Sequence, residues 1–432
     1  MSHYEALLNR IKNREAMVAV VGLGYIGLPT ALFYVMRGID VRGIDTNAAL
    51  VEELKKGRIS IHEAGLEEIA SENLPKIELQ ATYDGIEETD VCVLCLPSPV
   101  DENGRPVTQY LENAVVDIAR RMKRECLVLN ESTVPVGTTQ ALFELFSRES
   151  ELDDGEFWFA HCPERVLPGR IVEEMDTNHR LAGGINEDST TLAVAFLQTV
   201  FKPELIHPTI AGISEAAKLA ENTFRDVNIS YANELAKLCT SLSIDVSEVI
   251  RLANLHPRVS ILSPGLGVGG YCLPKDGWIL VESAKANGGK AELIPAARHV
   301  NDSMPAHVAK RVREEVMRRE VRATVGLLGL AFKENVSDTR NSPAVELLKI
   351  LTSTDIDVIV YDPLVAETFG AKNARDIDDL LNSSETIVMC VGHDQILREL
   401  VSKDLSEKVL FDPRHLMPEL KTRVKKYVGL SV

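Results

Sequence analysis

Short apolar runs alternate with amphipathic segments over the first half of the chain. Runs with the length and composition of buried strands occur at residues 17–21, 41–44, 91–96, 127–130 and 157–160. Segments of helical periodicity, such as 111–122 and 138–147, lie between several of these runs. Strands that alternate with helices are typical of βαβ units, so the pattern predicts a largely parallel sheet.

The strand pattern disappears in the middle of the chain and returns near residue 323. Helical periodicity covers residues 213–242, 246–253 and 294–318, the last interrupted by Pro305, and a glycine-rich loop covers 264–274. Strand-like runs then follow at 325–328, 358–361, 386–391 and 409–411, with a helical segment at 344–351. We expect an α/β protein with an N-terminal Rossmann-type dinucleotide-binding domain over residues 1–210, a central helical region over 211–319 and a C-terminal Rossmann-like domain over 320–432.

The composition narrows the class of protein. With 432 residues, 45% of them hydrophobic and 26% charged, the chain is long enough for two or three folded domains. Residues 1–14 lack the apolar core of a signal peptide, and no run of ~18 apolar residues occurs, so we expect a cytoplasmic protein without a membrane span. The formal net charge of −17 argues against a general nucleic-acid binder, which would need a basic surface, although a few local Arg and Lys side chains suffice for an anionic ligand.

The cysteine pattern favours reduced thiols, because the seven cysteines are odd in number and scattered along the chain. Cys92 and Cys95 form a CxxC pair inside an apolar run, and we interpret this pair as structural. No spaced set of cysteines and histidines typical of zinc ligands occurs, so we expect no metal.

The first strand leads directly into a GxGxxG pattern formed by Gly22, Gly24 and Gly27. In a dinucleotide loop these glycines permit a tight turn, a close approach of the pyrophosphate and close packing of helix and strand. A second strand ends at Asp45, about twenty residues on, where a carboxylate binds the ribose hydroxyls, so NAD is favoured over NADP. Arg42 is near enough to serve a 2′-phosphate, which keeps NADP open, and FAD fits the same loop but lacks a second flavin signature.

Cys272 lies between the glycine-rich loop and a predicted helix start, with Pro274 suited to the first helical turn. A helix N-terminus and Lys275 would both lower the pKa of the thiol and favour the thiolate, which is the nucleophilic form. The alternative is a buried, inert cysteine.

The long central helix carries Lys218, Asn222 and Arg225 on one face, because these residues are four and then three positions apart. A solvated charged face is the simplest interpretation of such a stripe. Apolar neighbours such as Leu219, Ala220 and Phe224 predict a mostly buried helix instead, which favours a functional polar stripe.

Motifs from end to end of the chain resemble those of the UDP-glucose/GDP-mannose dehydrogenase family. They are G-L-G-Y-I-G-L-P at 22–29, S-T-V-P-V-G-T at 132–138, P-E-R-V-L-P-G at 163–169, N-L-H-P-R at 254–258, G-G-Y-C-L-P-K-D at 269–276, G-L-A-F-K at 329–333 and D-T-R at 338–340. The resemblance implies an NAD-dependent oxidation of the C6 alcohol of a UDP-sugar to a carboxylate. It also implies an NAD-binding domain, a central helical region for homodimerisation, with a higher oligomer left open, and a C-terminal UDP-binding domain.

The resemblance further implies roles for the matching residues. The residues implied in catalysis are Cys272 as nucleophile, Lys218 as acid/base or alkoxide stabiliser, Asn222 and Asp276 in support, and Thr133 and Glu164 for positioning water and substrate. Those implied in NAD contact are Gly22, Gly24, Tyr25, Ile26, Gly27, Asp45, Ser98, Thr133 and Arg340. Those implied in UDP-sugar contact are Arg165, Val166, Lys218, Asn222, Arg225, His256, Arg258, Gly269, Phe332 and Lys333.

The motifs leave the sugar open. P-E-R-V-L-P-G resembles the branch of the family that oxidises UDP-N-acetylmannosamine, where the UDP-glucose branch usually has P-E-F-L-R-E, so no role carries over to Pro168. C-L-P-K-D is more similar to the UDP-glucose branch, and Ser98 stands where family members often have Thr. UDP-N-acetylmannosamine is favoured, and UDP-N-acetylglucosamine, UDP-N-acetylgalactosamine and UDP-glucose remain alternatives.

Two other interpretations remain at this point. A hydroxyacid dehydrogenase of the 6-phosphogluconate type also joins a dinucleotide domain to a helical one and uses a lysine, but it needs neither the cysteine nor a third domain. A non-catalytic regulator that binds NAD or a nucleotide sugar would keep the glycine loop without needing Cys272, Lys218 and Asn222 together.

Overall fold

The computed structural model describes residues 2–61, 63–101, 104–122, 124–317 and 324–431. The chain divides into two compact units, one formed by residues 1–220 with 282–288 and the other by residues 221–281 with 289–432. The predicted boundary between residues 319 and 320 lies outside the described residues.

The first unit is built on a sheet whose strand order is β3-β2-β1-β4-β5-β6-β7-β8 among the described residues. Its strands are β1 (Val18–Val21), β2 (Val41–Ile44), β3 (Glu78–Gln80), β4 (Val91–Leu94), β5 (Cys126–Asn130), β6 (Phe157–His161), β7 (Arg180–Gly184) and β8 (Ile206–Ile210). Its helices are α1 (His3–Asn13), α2 (Gly27–Met36), α3 (Ala48–Lys55), α4 (Leu66–Asn73), α5 (Gln109–Ala119), α6 (Thr138–Glu149), α7 (Ile171–Thr177) and α8 (Glu187–Val200). β6 and β7 pair antiparallel and the other neighbours pair parallel.

Apolar side chains of β1 supply both faces of this sheet. Val18 and Val20 belong to one core cluster, and Ala19 and Val21 to another. Successive side chains of a strand point to opposite faces, so helices cover the sheet on both sides, as in doubly wound folds. The order from β3 to β6 is that of dinucleotide-binding domains, whose ligand crevice lies where the strand order reverses, here between β1 and β4.

The second unit repeats this strand order in a sheet of β11-β10-β9-β12-β13-β14 among the described residues. Its strands are β9 (Thr324–Leu328), β10 (Asp357–Tyr361), β11 (Lys372–Asn373), β12 (Thr386–Met389), β13 (Val409–Phe411) and β14 (Lys426–Val428), all parallel. Its remaining helices are α10 (Val246–Ala253), α12 (Leu293–Asp302), α13 (Met304–Met317), α14 (Pro343–Thr352), α15 (Ile377–Ser383) and α16 (Asp394–Val401). The long helix α9 (Ala211–Leu242) starts in the first unit and continues in the second, and α11 (Leu273–Ala286) follows Cys272.

The predicted α/β class and its strand-helix alternation are confirmed, with small shifts at element ends. The single helix expected over residues 294–318, with Pro305 as an interruption, is instead two helices, α12 and α13. Pro305 lies in the first turn of α13, where proline is tolerated because the amide there has no helical partner. Elements that the apolar pattern did not predict include α1 and the strands β3, β7, β8, β11 and β14.

Candidate active site

The cofactor loop follows β1 and needs glycine at two of its three positions. Gly22 has φ +92°, and a Cβ there would lie 2.5 Å from the carbonyl oxygen of Cys95. A Cβ on Gly27 would lie 1.7 Å from the carbonyl oxygen of Gly22, so only glycine lets α2 start this close to the strand. Gly24 faces open space instead, which leaves its backbone accessible to a ligand.

Asp45 follows β2 and faces the same loop. Its Oδ2 accepts the N–H of Leu23 at 2.9 Å, and its Oδ1 accepts the N–H of Asn47 at 2.8 Å. Arg42 is buried and donates to Glu78 at 2.8 Å, and it also donates to the carbonyl oxygen of Gly85. Its guanidinium is therefore committed to protein partners, which argues against a role in holding the 2′-phosphate of NADP.

Tyr25 and Ile26 complete the loop, and Tyr25 is joined to a residue that the sequence did not single out. The Tyr25 hydroxyl donates to the carboxylate of Glu63, which also accepts the N–H groups of Gly169 at 2.7 Å and Ile171 at 3.3 Å. Glu63 thereby connects the cofactor loop to the end of the P-E-R-V-L-P-G segment. No local pattern marks it, because its partners are distant in sequence.

The S-T-V-P-V-G-T turn is held at both ends by side-chain hydrogen bonds. The hydroxyl of Ser132 accepts the N–H of Leu96 at 2.9 Å and donates to the carbonyl oxygen of the same residue at 2.8 Å. Glu215 on α9 accepts the N–H groups of Gly137 at 2.6 Å and Thr139 at 2.8 Å. These bonds fix the half-buried Thr133 within the turn.

Ser98 is buried in the segment that follows β4. Leu96 joins this segment to Ser132 by the two hydrogen bonds described above. This segment follows the carboxyl end of β4, which flanks the predicted crevice, and the fixed turn follows the carboxyl end of the neighbouring strand β5.

Glu164 presents an unpaired acceptor. It is 7% exposed, its Oε2 accepts the N–H of Val166 at 2.6 Å, and its Oε1 is buried without a hydrogen-bond partner among the described residues. A buried carboxylate oxygen without a donor is unfavourable, so this atom is suited to accept a hydrogen bond from water or substrate. The next residue, Arg165, does have a protein partner, since its guanidinium donates to the carbonyl oxygen of His179 at 2.8 Å.

Glu131 is a second buried carboxyl group near Glu164, and sequence reasoning missed it although it directly precedes Ser132. The N–H of Glu164 donates to its carbonyl oxygen at 3.4 Å, and its side chain accepts the Tyr34 hydroxyl at 3.1 Å. Burial raises the pKa of Glu131 above its usual value, and the neighbouring charge of Glu164 adds to this effect.

Lys218 lies half-buried on α9, next to a buried histidine. Burial lowers the pKa of His161 to about 3, and the positive charge of Lys218 contributes in the same direction. His161 contacts the carbonyl oxygen of Ser132 at 3.2 Å and the hydroxyl of Ser214 at 2.9 Å. The neutral ring thus links α9 to the turn that carries Thr133.

In the second unit, Asn222, Asp276 and Lys275 form one hydrogen-bonded group. Asp276 is fully buried, and its Oδ2 accepts the Asn222 amide at 2.6 Å. The Lys275 ammonium lies 2.9 Å from Asp276 Oδ1 and 5.0 Å from the centre of the Tyr271 ring. The carboxylate therefore balances the buried ammonium and orients the amide of Asn222.

Cys272 occupies the position just before α11. Its carbonyl oxygen accepts the N–H groups of Lys275 and Asp276, each at 3.0 Å, which are the first hydrogen bonds of the helix. All seven cysteines lie within the described residues, and Cys272 is the only exposed one. The prediction of a cysteine at a helix N-terminus is confirmed.

The glycine loop before Cys272 packs on the segment that follows β9. A Cβ on Gly269 would lie 2.6 Å from the carbonyl oxygen of Asn341, and one on Gly270 would lie 2.8 Å from the ring of Phe332. Gly270 N–H also donates to the carbonyl oxygen of Arg340 at 2.9 Å. The structure thus packs Phe332 and Arg340 against the glycine loop, which contains Gly269 and presents Cys272.

Arg340 is anchored beside this loop. Its guanidinium pairs with Asp338 at 2.6 Å and lies 5.0 Å from the centre of the Tyr271 ring. Lys333 lies half-buried next to Phe332 in the chain.

The remaining predicted substrate residues are not brought to this loop by any hydrogen bond among the described residues. Arg225, His256 and Arg258 are exposed, and the ring nitrogen Nδ1 of His256 accepts the N–H of Arg258 at 3.4 Å. Ala220 and Phe224 are also exposed, Phe224 at 66%, so the expectation of a mostly buried helix is wrong at these two positions. Leu219 on the neighbouring face is buried as expected.

Arg414 is a basic residue near the glycine loop that sequence reasoning missed. Its side chain lies against Gly265, where a Cβ would approach its Cγ to 3.0 Å, and its guanidinium lies 3.4 Å from Glu334. Its position shortly after the end of β13, at the carboxyl edge of the sheet, is the signal that could have identified it.

The first unit fits a dinucleotide by its own geometry. Gly24 leaves room for the pyrophosphate at the start of α2, and Asp45 places a carboxylate at the end of the neighbouring strand. In the described parts of the chain, no helix has the length and apolar character to cross a membrane, and no group of three or more His, Cys, Asp or Glu side chains is arranged to hold a metal ion.

Comparison with known proteins adds an independent finding. Three models of the UDP-glucose/GDP-mannose dehydrogenase family match the chain: the NAD binding domain at residues 16–204, the central domain at 213–303 and the UDP binding domain at 326–419. The UDP-N-acetyl-D-mannosamine dehydrogenase of Pyrococcus horikoshii is 37% identical over 411 residues, which cover 93% of this chain and 96% of that protein. Its solved structure superimposes with a TM-score of 0.88 at 35% identity, over 96% of this chain and 99% of that one.

Two further relatives act on other sugars according to their names. An NDP-N-acetyl-D-galactosaminuronic acid dehydrogenase of Ralstonia nicotianae is 36% identical, over 92% of this chain and 95% of that protein. The structure of a UDP-glucose dehydrogenase from Pyrobaculum islandicum has the same TM-score of 0.88 at 28% identity, over 96% of this chain and 98% of that one. The fold is therefore common to relatives with different sugars.

Proposed function

Because the chain belongs to the UDP-glucose/GDP-mannose dehydrogenase family, we propose that it oxidises the C6 alcohol of UDP-N-acetylmannosamine to a carboxylate. It is an NAD-dependent nucleotide-sugar dehydrogenase with an N-terminal NAD-binding and a C-terminal UDP-binding domain. The name of the Pyrococcus relative and the P-E-R-V-L-P-G segment support this sugar. UDP-N-acetylglucosamine, UDP-N-acetylgalactosamine and UDP-glucose are the alternatives.

The observation that carries the proposal is the position of Cys272. An exposed thiol at the start of α11, four residues before a buried carboxylate that binds Asn222, is suited to covalent catalysis. Lys218 precedes Asn222 by one turn of the same helix, so both side chains project from one face of α9. A dehydrogenase that stops at the aldehyde needs no such thiol.

Each residue then has a defined task. Two NAD molecules, bound in turn, would each supply the hydride acceptor for one of the two oxidations. Lys218 and Asn222 stabilise the developing alkoxide, and a proton leaves through Lys218 or an ordered water. The Cys272 thiolate adds to the aldehyde carbon and forms a thiohemiacetal, which becomes a thioester when the second hydride leaves.

Hydrolysis completes the reaction. Water adds to the thioester, the carbon–sulfur bond breaks, and the carboxylate and free thiol are released. Glu164, whose buried Oε1 has no hydrogen-bond partner among the described residues, is proposed to accept a hydrogen bond from this water, and Thr133 is proposed to help position it. Arg165, Val166, Arg225, His256, Arg258, Gly269, Phe332 and Lys333 are proposed to hold the UDP-sugar, and Tyr25, Ile26, Ser98 and Arg340 to contact NAD.

The test is the number of NADH molecules formed per sugar, with limiting UDP-N-acetylmannosamine and excess NAD. Two NADH per sugar are expected, since four electrons leave one carbon. One NADH would contradict the thioester route and fit a simple alcohol dehydrogenase. If this sugar gives no NADH but another UDP-hexose gives two, the proposed reaction stands and only the proposed substrate is wrong. No signal with any of them would favour a binding protein.

The role of Cys272 is tested separately by Cys272→Ser. Serine is a poorer nucleophile, so steady-state formation of two NADH should be lost and a covalent ester could accumulate, visible by mass spectrometry. Cys239→Ala is the matched control, because Cys239 is buried on α9, and it should keep two NADH per sugar. Wild-type turnover in Cys272→Ser would exclude the thiol as nucleophile.

We also propose that the chain forms a homodimer through the central helices. Phe224, Tyr231 and Leu238 are more than half exposed and recur every seven residues along α9, so they form one apolar stripe. A second copy of the chain is the proposed cover. Sedimentation should show a dimer for the wild type and a monomer for Tyr231→Glu, and a monomeric wild type would refute this assembly.

The proposed domain limits remain 1–210, 211–319 and 320–432. The seven cysteines, all within the described residues, form no disulfide, which fits a reducing compartment and supports the proposed cytoplasmic location.

A further inference from the structure

A buried aspartate and a buried histidine meet at the carboxyl edge of the second sheet. Asp362 follows β10 and His393 precedes α16, and their side chains are 0% and 1% exposed. His393 Nε2 lies 3.1 Å from Asp362 Oδ2. Neither residue belongs to the site described above.

Both residues hold the segment 329–335, which contains Phe332 and Lys333. Asp362 Oδ2 accepts the N–H groups of Leu330 at 2.6 Å and Ala331 at 3.1 Å. His393 Nδ1 accepts the N–H of Asn335 at 2.9 Å. The pair therefore binds the segment at its beginning and at its end.

The hydrogen bonds define the protonation of the pair. A backbone N–H only donates, so Nδ1 of His393 carries no proton and Nε2 donates to the carboxylate. Burial by itself would raise the pKa of Asp362, but the donors His393, Leu330 and Leu364 outweigh it and hold the pKa below its usual value. The result is an ionised carboxylate and a neutral ring.

The same construction occurs in the first sheet, with a different outcome. There Gly22 with φ +92° follows β1, and Asp45 after the neighbouring strand accepts the next N–H, that of Leu23, at 2.9 Å. In the second sheet Gly329 with φ +88° follows β9, and Asp362 takes the place of Asp45. In the second sheet His393 covers the acid, so it is unavailable to a ribose.

We propose that Asp362 and His393 are positioning residues that set the affinity of the C-terminal domain for UDP by fixing the segment 329–335. This inference rests on the proposed role of Phe332 and Lys333 in holding the UDP-sugar. Both side chains are buried and bound to each other and to backbone N–H groups, so we assign them no contact with the nucleotide or the reacting carbon. It acts through the backbone of the segment, which has little freedom when both ends are bound.

The test measures binding of UDP and of NAD to the full chain by calorimetry. His393→Ala removes a donor and an acceptor and should raise the Kd for UDP about tenfold, with the Kd for NAD unchanged. His393→Gln retains one donor and one acceptor and should recover much of the affinity. Lys408→Met is the matched control, because Lys408 donates to Ser384 O at 2.9 Å just before β13, at the opposite edge of the sheet.

Each outcome is decisive. Wild-type affinity for UDP in His393→Ala, or an equal loss of UDP and NAD affinity, would overturn the inference. If His393→Ala does not fold, Asp362→Asn provides the same comparison with an unchanged side-chain volume. If the wild type itself does not bind UDP, the proposed function fails first, and this result is distinguishable from equal binding by wild type and variant.

Discussion

Replacing Asp276 by asparagine is expected to destabilise the protein through its neighbour Lys275. The carboxylate is fully buried, and Lys275 is only 6% exposed, with its ammonium 2.9 Å from Asp276 Oδ1. Removing one partner of a buried ion pair leaves an uncompensated charge, which lowers the free energy of unfolding by about 3–5 kcal/mol. For a domain of 150–250 residues, this corresponds to a fall in Tm of roughly 6–20 °C.

A second substitution separates this electrostatic effect from the effect on catalysis. In Asp276→Asn with Lys275→Met, no charge is left buried, so most of the lost Tm should return, since an apolar replacement of a buried ion pair is often neutral. Turnover should stay low in both variants, because the carboxylate that orients the Asn222 amide is absent. Calorimetric Tm and steady-state kcat are the two measurements.

The reasoning would be refuted by a wild-type Tm in the single variant, or by a double variant as unstable as the single one. Either result would mean that the Lys275 ammonium needs no counter-ion in the folded protein. A double variant with full turnover would show instead that Asp276 acts only on stability.

Three further predictions concern single residues. Lys218→Ala should lower kcat by about 100-fold if the ammonium serves proton transfer, and an active variant would reduce Lys218 to a structural role. Asp45→Ser should raise the KM for NAD at least ~10-fold without creating strong NADP use, because Arg42 is bound to Glu78, and unchanged NAD kinetics would argue against ribose contact. His161, with its pKa lowered by burial to about 3, stays neutral in the folded state while the unfolded chain takes up a proton below about pH 6.5, so folding stability should fall on acidification through this window by up to ~1.4 kcal/mol per pH unit. Chemical denaturation of His161→Gln at several pH values should give a smaller slope, and an equal slope would assign the acid sensitivity to other groups.

The sequence predicted the fold wherever an element carried its own pattern. Buried parallel strands such as β1 and β4 are continuous apolar runs, and the glycines of the cofactor loop follow such a run and precede a strand that Asp45 follows, which together indicate a dinucleotide loop. Helix α1 also had a signal, since Ser2 and Glu5 form a capping box, but its polar composition hid it. The strands β7 and β11 could not be found in this way, because their pairing partners rather than their composition make them strands.

The residues of the candidate site were likewise predictable where the sequence around them carried a pattern, and not where contacts distant in sequence define them. Cys272 was singled out as the candidate nucleophile from the loop and helix around it, all within a few residues in sequence, and from the family resemblance of that segment. Glu63, Arg414 and His393 were missed, because their significance comes from contacts with segments far away in the chain. Phe224 was wrongly expected to be buried. Its local pattern is apolar, but helical periodicity does not show whether the rest of the same chain covers an apolar face.

Because Cys272 is the exposed thiol and the other cysteines are buried or half-buried, chemical labelling of Cys272 could count the molecules that carry an intact site. Cys92, Cys95, Cys126, Cys162, Cys239 and Cys390 all have pKa values raised by burial, whereas Cys272 is exposed. A mild electrophile should therefore alkylate the folded protein once, and, with Cys272 as the proposed nucleophile, the labelled fraction would equal the fraction of intact sites in a preparation. Such a titration would turn any measured rate into a rate per competent site without engineering the chain.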